Sequence, residues 1–219
     1  MKAREKLMRI AVVAVMLFLL FAVPDANTLK AEETTVVMGS TTLTNGYYYF
    51  DSASGGSLRQ SAAVPEGCSD YMQYTDGVLT VYGSVTGTLY GGMQVSSGTL
   101  RLSGTGNLDL SFYGNLSGSG SLMTDGYTGN IAFRSPVTTP VNGLSGLDLQ
   151  TTGNIVIESS ATSASGSAAA VKVGTLVLQG ASVELNNNAA IETSGNATIT
   201  ATQGNLDFQA AFSNPLFLS

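Results

Sequence analysis

The stretch Gly98-Thr-Leu-Arg-Leu-Ser-Gly-Thr-Gly-Asn-Leu-Asp-Leu-Ser-Phe112 decides the fold. It holds two Leu-x-Leu units, Leu100 to Leu102 and Leu108 to Leu110, joined by Ser-Gly-Thr-Gly-Asn. Strict alternation puts the leucines on one face of a strand and Thr, Arg, Asp and Ser on the other. Gly and Asn between the units supply the backbone conformations that sharp corners need. The unit is thus a short alternating strand, a tight corner and another short strand. The same pattern recurs in Val78-Leu-Thr-Val-Tyr-Gly83, Gly146-Leu-Asp-Leu-Gln150, Asn154-Ile-Val-Ile-Glu158, Thr175-Leu-Val-Leu-Gln-Gly180, Ser182-Val-Glu-Leu-Asn186, Ala197-Thr-Ile-Thr-Ala201 and Asn205-Leu-Asp-Phe208. From Thr35 onward Gly or Ser-Gly interrupts nearly every window of helical periodicity, so no helix is expected.

Two spacings recur. A step of about 7–8 residues links Leu100 to Leu108, Leu147 to Ile155, Leu176 to Val183 and Ile199 to Leu206. A longer step of about 21–23 residues links Leu79 to Leu100, Leu100 to Leu122, Ile155 to Leu176 and Leu176 to Ile199. A short step nested in a long one predicts an all-β chain, a β-solenoid whose coils hold two or three strands each and share one stacked core. A β-sandwich, which also has short strands at regular intervals, is the alternative. Asn186-Asn-Asn188 is expected at a corner, where asparagines of successive coils could stack. Ser159 to Ala170 is small and polar and reads as a protruding loop.

The beginning of the chain reads differently. Lys2, Arg4, Lys6 and Arg9 precede Ile10 to Val23, a run of 14 almost wholly apolar residues ended by Pro24. This is the pattern of an export signal, and the run is shorter than the roughly 20 residues a spanning helix needs. Cleavage after Ala26 or Ala31 fits the small residues there. Residues 1–31 are therefore assigned to a signal peptide, 32–76 to an N-terminal β cap or first coils, 77–212 to the repeating body and 213–219 to an open C-terminal end. That end implies a longer protein, or a partner covering the edge, with edge-to-edge self-association as a consequence. Thr42 to Asp51 contains an aromatic strand, and seven of the nine tyrosines lie between Tyr47 and Tyr90.

Charge narrows the partners. Cleavage after Ala31 leaves four cations against thirteen acids, a formal charge of −9. Such a surface cannot neutralise a run of phosphates, so neither nucleic acid nor, after signal cleavage, a membrane is an expected partner. Cys68 is the one cysteine and excludes an intrachain disulfide. There is no histidine, which removes Ser-His-Asp and Cys-His catalysis and most zinc sites. Lys172 lies in an alternating strand with its side chain expected in solvent. Asn115-Leu-Ser and Asn196-Ala-Thr fit the glycosylation pattern and are read as chance.

The Gly-x-Leu-x-Leu units at Gly98, Gly106, Gly174 and Gly204 (the last ending in Phe208) carry a resemblance. Over residues 77–210 the chain resembles the glycine- and threonine-rich β-helical segments of bacterial secreted surface proteins, adhesin-like or carbohydrate-associated. The resemblance is compositional and periodic, and it implies a role in adhesion, surface layers or carbohydrate contact without transferring any functional residue. β-Helical polysaccharide lyases and hydrolases gather several acids at one site. Here the acids are scattered, with no Asp-Asp or Asp-x-Asp pair, and the closest approach is Glu32-Glu33 at the expected new N-terminus.

Two candidate sites follow. Asp109, Asp148 and Asp207 each occupy the centre of a Leu-Asp-Leu or Leu-Asp-Phe unit, with Glu158 and Glu184 in comparable positions. On one solenoid face they would form a stripe able to bind calcium or sugar hydroxyls; otherwise alternation alone accounts for them and no cofactor is required. Tyr47, Tyr49, Tyr74 and Asp76 are the candidate ligand-binding group, an aromatic platform with a hydrogen-bonding carboxylate. Alternation sends Tyr47 and Tyr49 to one face and Tyr48 and Phe50 to the other. The expected function is that of an exported, non-enzymatic cell-surface or extracellular β-solenoid, adhesin-like or a structural spacer, with glycans or neighbouring surface proteins as partners. A carbohydrate-binding module or a polysaccharide-active β-helix enzyme is the alternative.

Overall fold

The computed structural model describes residues 33–52, 56–137, 140–159, 169–186 and 190–209. The expected signal peptide, most of the small polar loop, Asn187 and Asn188 of the expected asparagine corner, and residues 213–219 lie outside the described residues. The chain is a β-solenoid of about five turns, and the sandwich alternative is set aside.

Each coil has three strands, and successive coils pair in parallel on three faces. The first face carries β8 (Gly92–Ser97), β11 (Asn115–Ser117), the start of β14 (Val141–Gln150), the start of β16 (Ala169–Gly180) and β18 (Ala190–Thr193). On the second stand β6 (Val78–Tyr82), β9 (Thr99–Gly104), β12 (Ser121–Thr124), the later halves of β14 and β16, and β19 (Ala197–Ala201). The third consists of β7 (Ser84–Leu89), β10 (Asn107–Phe112), β13 (Ile131–Ser135), β15 (Ile155–Ser159), β17 (Val183–Asn186) and β20 (Leu206–Gln209). Alternation aims Leu100, Leu122, Leu147 and Leu176 inward as one in-register column, and Leu108, Ile131, Ile155 and Val183 as another. All eight are buried. Complete burial of one such side chain contributes about 1.5–3 kcal/mol.

The structure corrects part of the long-step register. Leu100 stacks on Leu122 as expected, but Leu79 stacks on Leu102 rather than Leu100. Leu176 stacks on Ala197, with Ile199 on Leu178. Ile155 and Leu176 belong to different faces, Ile155 stacking on Val183. A Leu-x-Leu unit keeps its inward face under a two-residue slip, so alternation alone does not choose between these registers.

Corners bring backbones close. A Cβ on Gly129 would stand 1.8 Å from the Gly106 carbonyl oxygen, and one on Gly114 would stand 1.6 Å from that of Gly91. Only glycine fits these steps. An asparagine ladder runs beside the first of them. Asn130 N–H donates to Asn107 Oδ1 at 3.0 Å, Asn154 N–H to Asn130 Oδ1 at 2.8 Å, and Ser182 Oγ to Asn154 Oδ1 at 2.9 Å. Ser84 N–H, one coil earlier, donates to Asp70 Oδ1 at 2.7 Å, so the ladder reaches the cap.

Antiparallel strands close the N-terminal end. β1 (Thr35–Met38) pairs with β2 (Thr41–Thr42) and lies antiparallel on β8, burying Val36 and Met38. β3 (Gly46–Asp51), β4 (Ser57–Ser61) and β5 (Tyr71–Thr75) extend the second face beyond β6, again antiparallel. β3 and β4 also touch β7 on the third face, so the hairpin crosses the end of the core. Tyr48 is fully buried, and its hydroxyl donates to the Thr44 carbonyl while accepting from Thr44 N–H, both at 2.8 Å. Phe50 fills the inward position that Gly87 leaves vacant at the head of the Leu110, Phe133, Ile157 and Leu185 column, where a Cβ would meet the ring at 2.3 Å.

Two substitutions test this packing. Gly129→Ala is expected to cost about 2 kcal/mol, a fall in Tm of roughly 4–8 °C by thermal denaturation. Phe50→Ala is expected to cost of the order of 3 kcal/mol. An unchanged Tm in either would contradict the corner or the cap.

Candidate functional site

The outward face of the second sheet carries tyrosines next to the cap. Tyr71 and Tyr82 are register partners with ring centroids 4.7 Å apart and planes 23° apart. Tyr47 meets Tyr71 edge to face at 5.9 Å. Tyr49 faces the same way, opposite Arg59 of β4. Of the four expected ligand-binding residues, Tyr47 and Tyr49 therefore share the outer face, while Tyr48 and Phe50 turn toward the core. Tyr74 does not join them. It follows Met72 to the inner face, is 4% exposed, and its hydroxyl donates to the Thr34 carbonyl at 3.1 Å. Burial raises its phenol pKa. Asp76 sits in the β5–β6 turn at φ 46°, tied to Asn45 by two 2.9 Å hydrogen bonds. There its side chain accepts from Asn45 Nδ2 and its own N–H donates to Asn45 Oδ1, which ties the β5–β6 turn to the segment before β3.

A second aromatic pair lies at the corner after the third face. Tyr90 follows β7 and Tyr113 follows β10, one coil later. Their rings stack at 5.1 Å with planes 7° apart, and they remain 66% and 62% exposed. Next to Tyr113 runs a groove of about 260 Å³, lined also by Thr88, Ser111, Arg134, Pro136 and Glu158. Thr88, Ser111, Arg134 and Glu158 are successive register partners on β7, β10, β13 and β15, so the groove follows the solenoid axis. Coil stacking alone places these four residues together, although they span seventy positions of sequence.

Arg134 organises this face. Its Nε donates to Asp109 Oδ1 at 3.0 Å and its Nη2 to Asp109 Oδ2 at 3.3 Å, while Nη1 donates to Glu158. The hydrogen bond it donates to Asp109, more than the one to Glu158, raises the guanidinium pKa against the opposing effect of burial. Three of its five N–H donors are engaged, which leaves two for a ligand.

The expected acidic stripe is not assembled. Asp109 and Asp207 do lie in one outward column of the third face, but Ala132, Val156 and Glu184 stand between them. Glu184 and Asp207 are in-register neighbours. Asp148 is on the second face, where it accepts a hydrogen bond from Gln150 Nε2 at 2.9 Å. Among the described residues no three His, Cys, Asp or Glu side chains are grouped to hold a metal ion. Single-strand periodicity hid this, because Leu-Asp-Leu units on two faces look alike in sequence.

The remaining reactive groups have structural partners. Cys68 Sγ lies 3.1 Å from the Asp70 carbonyl, and Lys172 faces outward and meets Glu192 of the next coil at 2.9 Å. The Tyr90–Tyr113 pair and Arg134 were missing from the expected site. The signal for them was a Leu/Phe-Tyr-Gly tripeptide at Leu89-Tyr-Gly91 and Phe112-Tyr-Gly114, repeated after 23 residues.

Arg134→Ala leaves Asp109 and Glu158 without their shared cation. The expected loss is about 1 kcal/mol at low ionic strength, shrinking in high salt as screening weakens both the pairs and the residual repulsion. Chemical denaturation at low and high salt measures it; a salt-independent difference would contradict an electrostatic role. The chain matches no protein-family model, no curated protein and no solved structure, so the reading of this site rests on its own geometry.

Proposed function

We propose that the chain is an exported, non-enzymatic β-solenoid of the cell surface or extracellular space, adhesin-like, which holds binding faces on a stiff rod. Its partners on this reading are glycans or neighbouring surface proteins. The observation that carries the reading is the exposed, stacked Tyr90–Tyr113 pair beside a groove with a polar side chain from each of four successive coils. Solvent-exposed aromatic area on a monomeric surface is costly to leave uncovered and is typical of recognition sites. The basic segment and apolar run of residues 2–23 support export.

The hydrolase form of the polysaccharide-active alternative needs two carboxyl groups in different protonation states across a scissile bond. At Arg134 the two carboxylates, Asp109 and Glu158, instead both pair with one guanidinium. A dedicated carbohydrate-binding module on the same scaffold is the other alternative.

The test is to express the chain with its own leader in a bacterial host, recover the exported protein, and measure retention by immobilised polysaccharides together with release of new reducing ends. Export with retention and no new reducing ends is the expected result. Release of reducing ends, or a chain that stays in the cytoplasm with residues 1–31 attached, contradicts it.

A further inference from the structure

We infer that the groove beside Tyr113 is a site for uncharged pyranose rings of a linear polysaccharide, lying along the solenoid axis. This rests on the binding reading above and names where and what the chain binds.

The argument begins with Tyr113. A pyranose has one face of C–H bonds, which packs against an aromatic ring, and an edge of hydroxyls, which must be hydrogen-bonded. Tyr113 offers such a ring in a fixed orientation. Tyr90 backs it from the preceding coil, with the planes only 7° apart, and the Tyr113 N–H is anchored to the Leu89 carbonyl at 3.0 Å. A ring held from behind loses little freedom when a ligand stacks on it, which removes one cost of binding.

The floor supplies the hydrogen bonds. Thr88 and Ser111 each bring a hydroxyl, Arg134 has two N–H donors beyond those given to Asp109 and Glu158, and Glu158 brings acceptors. One column thus offers both donors and acceptors. Sugar hydroxyls, which are both, suit this better than a purely donating or purely accepting ligand. The column repeats at the strand spacing, about 4.8 Å per coil. Thr88 to Glu158 is three steps, about 14 Å, so successive linked rings can each meet a polar group of the column while one of them stacks on Tyr113. The groove, about 260 Å³, is smaller than the pockets that enclose drug-sized ligands. The alignment of its lining residues along the axis fits a chain lying in it rather than a small molecule enclosed by it.

Charge selects the kind of sugar. Arg134 is opposed by two carboxylates, so the cluster carries one more negative than positive charge, on a chain whose formal net charge is −6. A polyuronate or sulfated glycan would meet repulsion rather than attraction. Neutral polysaccharides are the ligands this chemistry accepts.

The experiment is native affinity electrophoresis of the full chain in gels containing a neutral β-linked glucan, a mannan or a galactan, with polygalacturonate as the charged counterpart. Intrinsic tyrosine fluorescence provides a second readout, since the chain has no tryptophan. The expected result is retardation by at least one neutral polymer, lost at least tenfold in Tyr113→Ala, kept in Tyr113→Phe, and unchanged in Tyr82→Ala. Tyr113 is largely exposed, so an unaltered Tm accompanies the loss. Retardation that survives Tyr113→Ala but fails in Tyr82→Ala moves the site to the cap and overturns this inference while leaving the proposed function in place. Preference for polygalacturonate overturns the charge argument. No retardation by any of the neutral polymers overturns the inference, and the retention test on immobilised polysaccharides then decides separately whether glycan recognition remains.

Discussion

Main-chain hydrogen bonding between successive coils is the constraint on which everything else depends. Each coil satisfies its N–H and C=O groups by pairing with the coil before and after, as Ser121 N–H does with Gly98 O, or Ile131 N–H with Asn154 O, both at 2.9 Å. Buried backbone groups left unpaired would cost more than the net stability of a domain this size. The chain must therefore rise by one strand spacing, about 4.8 Å, in every circuit, whatever its corners contain. Where backbones come within contact distance at a corner, side chains are excluded and glycine is required, as at Gly114 and Gly129. Where a carbonyl at a corner would be orphaned, a side chain reaches it: Thr151 Oγ1 donates to Gly129 O at 2.6 Å, and the buried Tyr127 hydroxyl to Gly106 O. The same constraint explains the cap. An open first coil would expose both the core and a row of unpaired strand edges, and antiparallel β1, β3 and β5 cover the edges while Tyr48 and Phe50 cover the core.

Much of this architecture was legible in the residues. Alternation located the long strands of the second and third faces, because Leu-x-Leu and Ile-x-Ile have only one way to bury both apolar residues. The first face was harder to read. β8, Gly92 to Ser97, and β11, Asn115 to Ser117, are short and rich in small residues, and only Met93, Val95 and Leu116 mark their inner sides. Register was the least legible property. Coil lengths vary, from 21 residues between Leu176 and Ala197 to 29 between Leu147 and Leu176, with the difference taken up between the paired stretches and at a bulge at Gly143. The better marker was the Gly-Asn dipeptide at 106–107, 129–130 and 153–154, which sets the corner rather than the strand and carries the asparagine ladder.

The candidate site shows why strand patterns foretell burial better than recognition. Alternation put Tyr47 and Tyr49 outside and Tyr48 and Phe50 inside. It also places Tyr74 on the inner face, in register with Leu79, once β5 is seen to pair with β6. The Arg134 cluster and the Tyr90–Tyr113 stack arise from residues one coil apart, and no local window contains them. In a solenoid the functional surface is written across the repeats, so its residues become neighbours only when the register is known. That register turns scattered acids into ion pairs with Arg134 and scattered tyrosines into a rigid aromatic edge.

The coil register is thus the central claim, and distance measurements along one outward column test it most directly. Val78, Arg101, Met123, Asp148, Val177 and Thr198 are successive partners on the second face. Spin labels on a Cys68→Ser background at Val78 paired with Asp148, Val177 or Thr198 are separated by three, four and five coils. Double electron–electron resonance should give intervals that grow in even steps of about 4.8 Å, near 14, 19 and 24 Å before the label linkers are added. Distances that fail to increase with coil number, or that cluster at two values as in a pair of packed sheets, would contradict the solenoid and every surface derived from it.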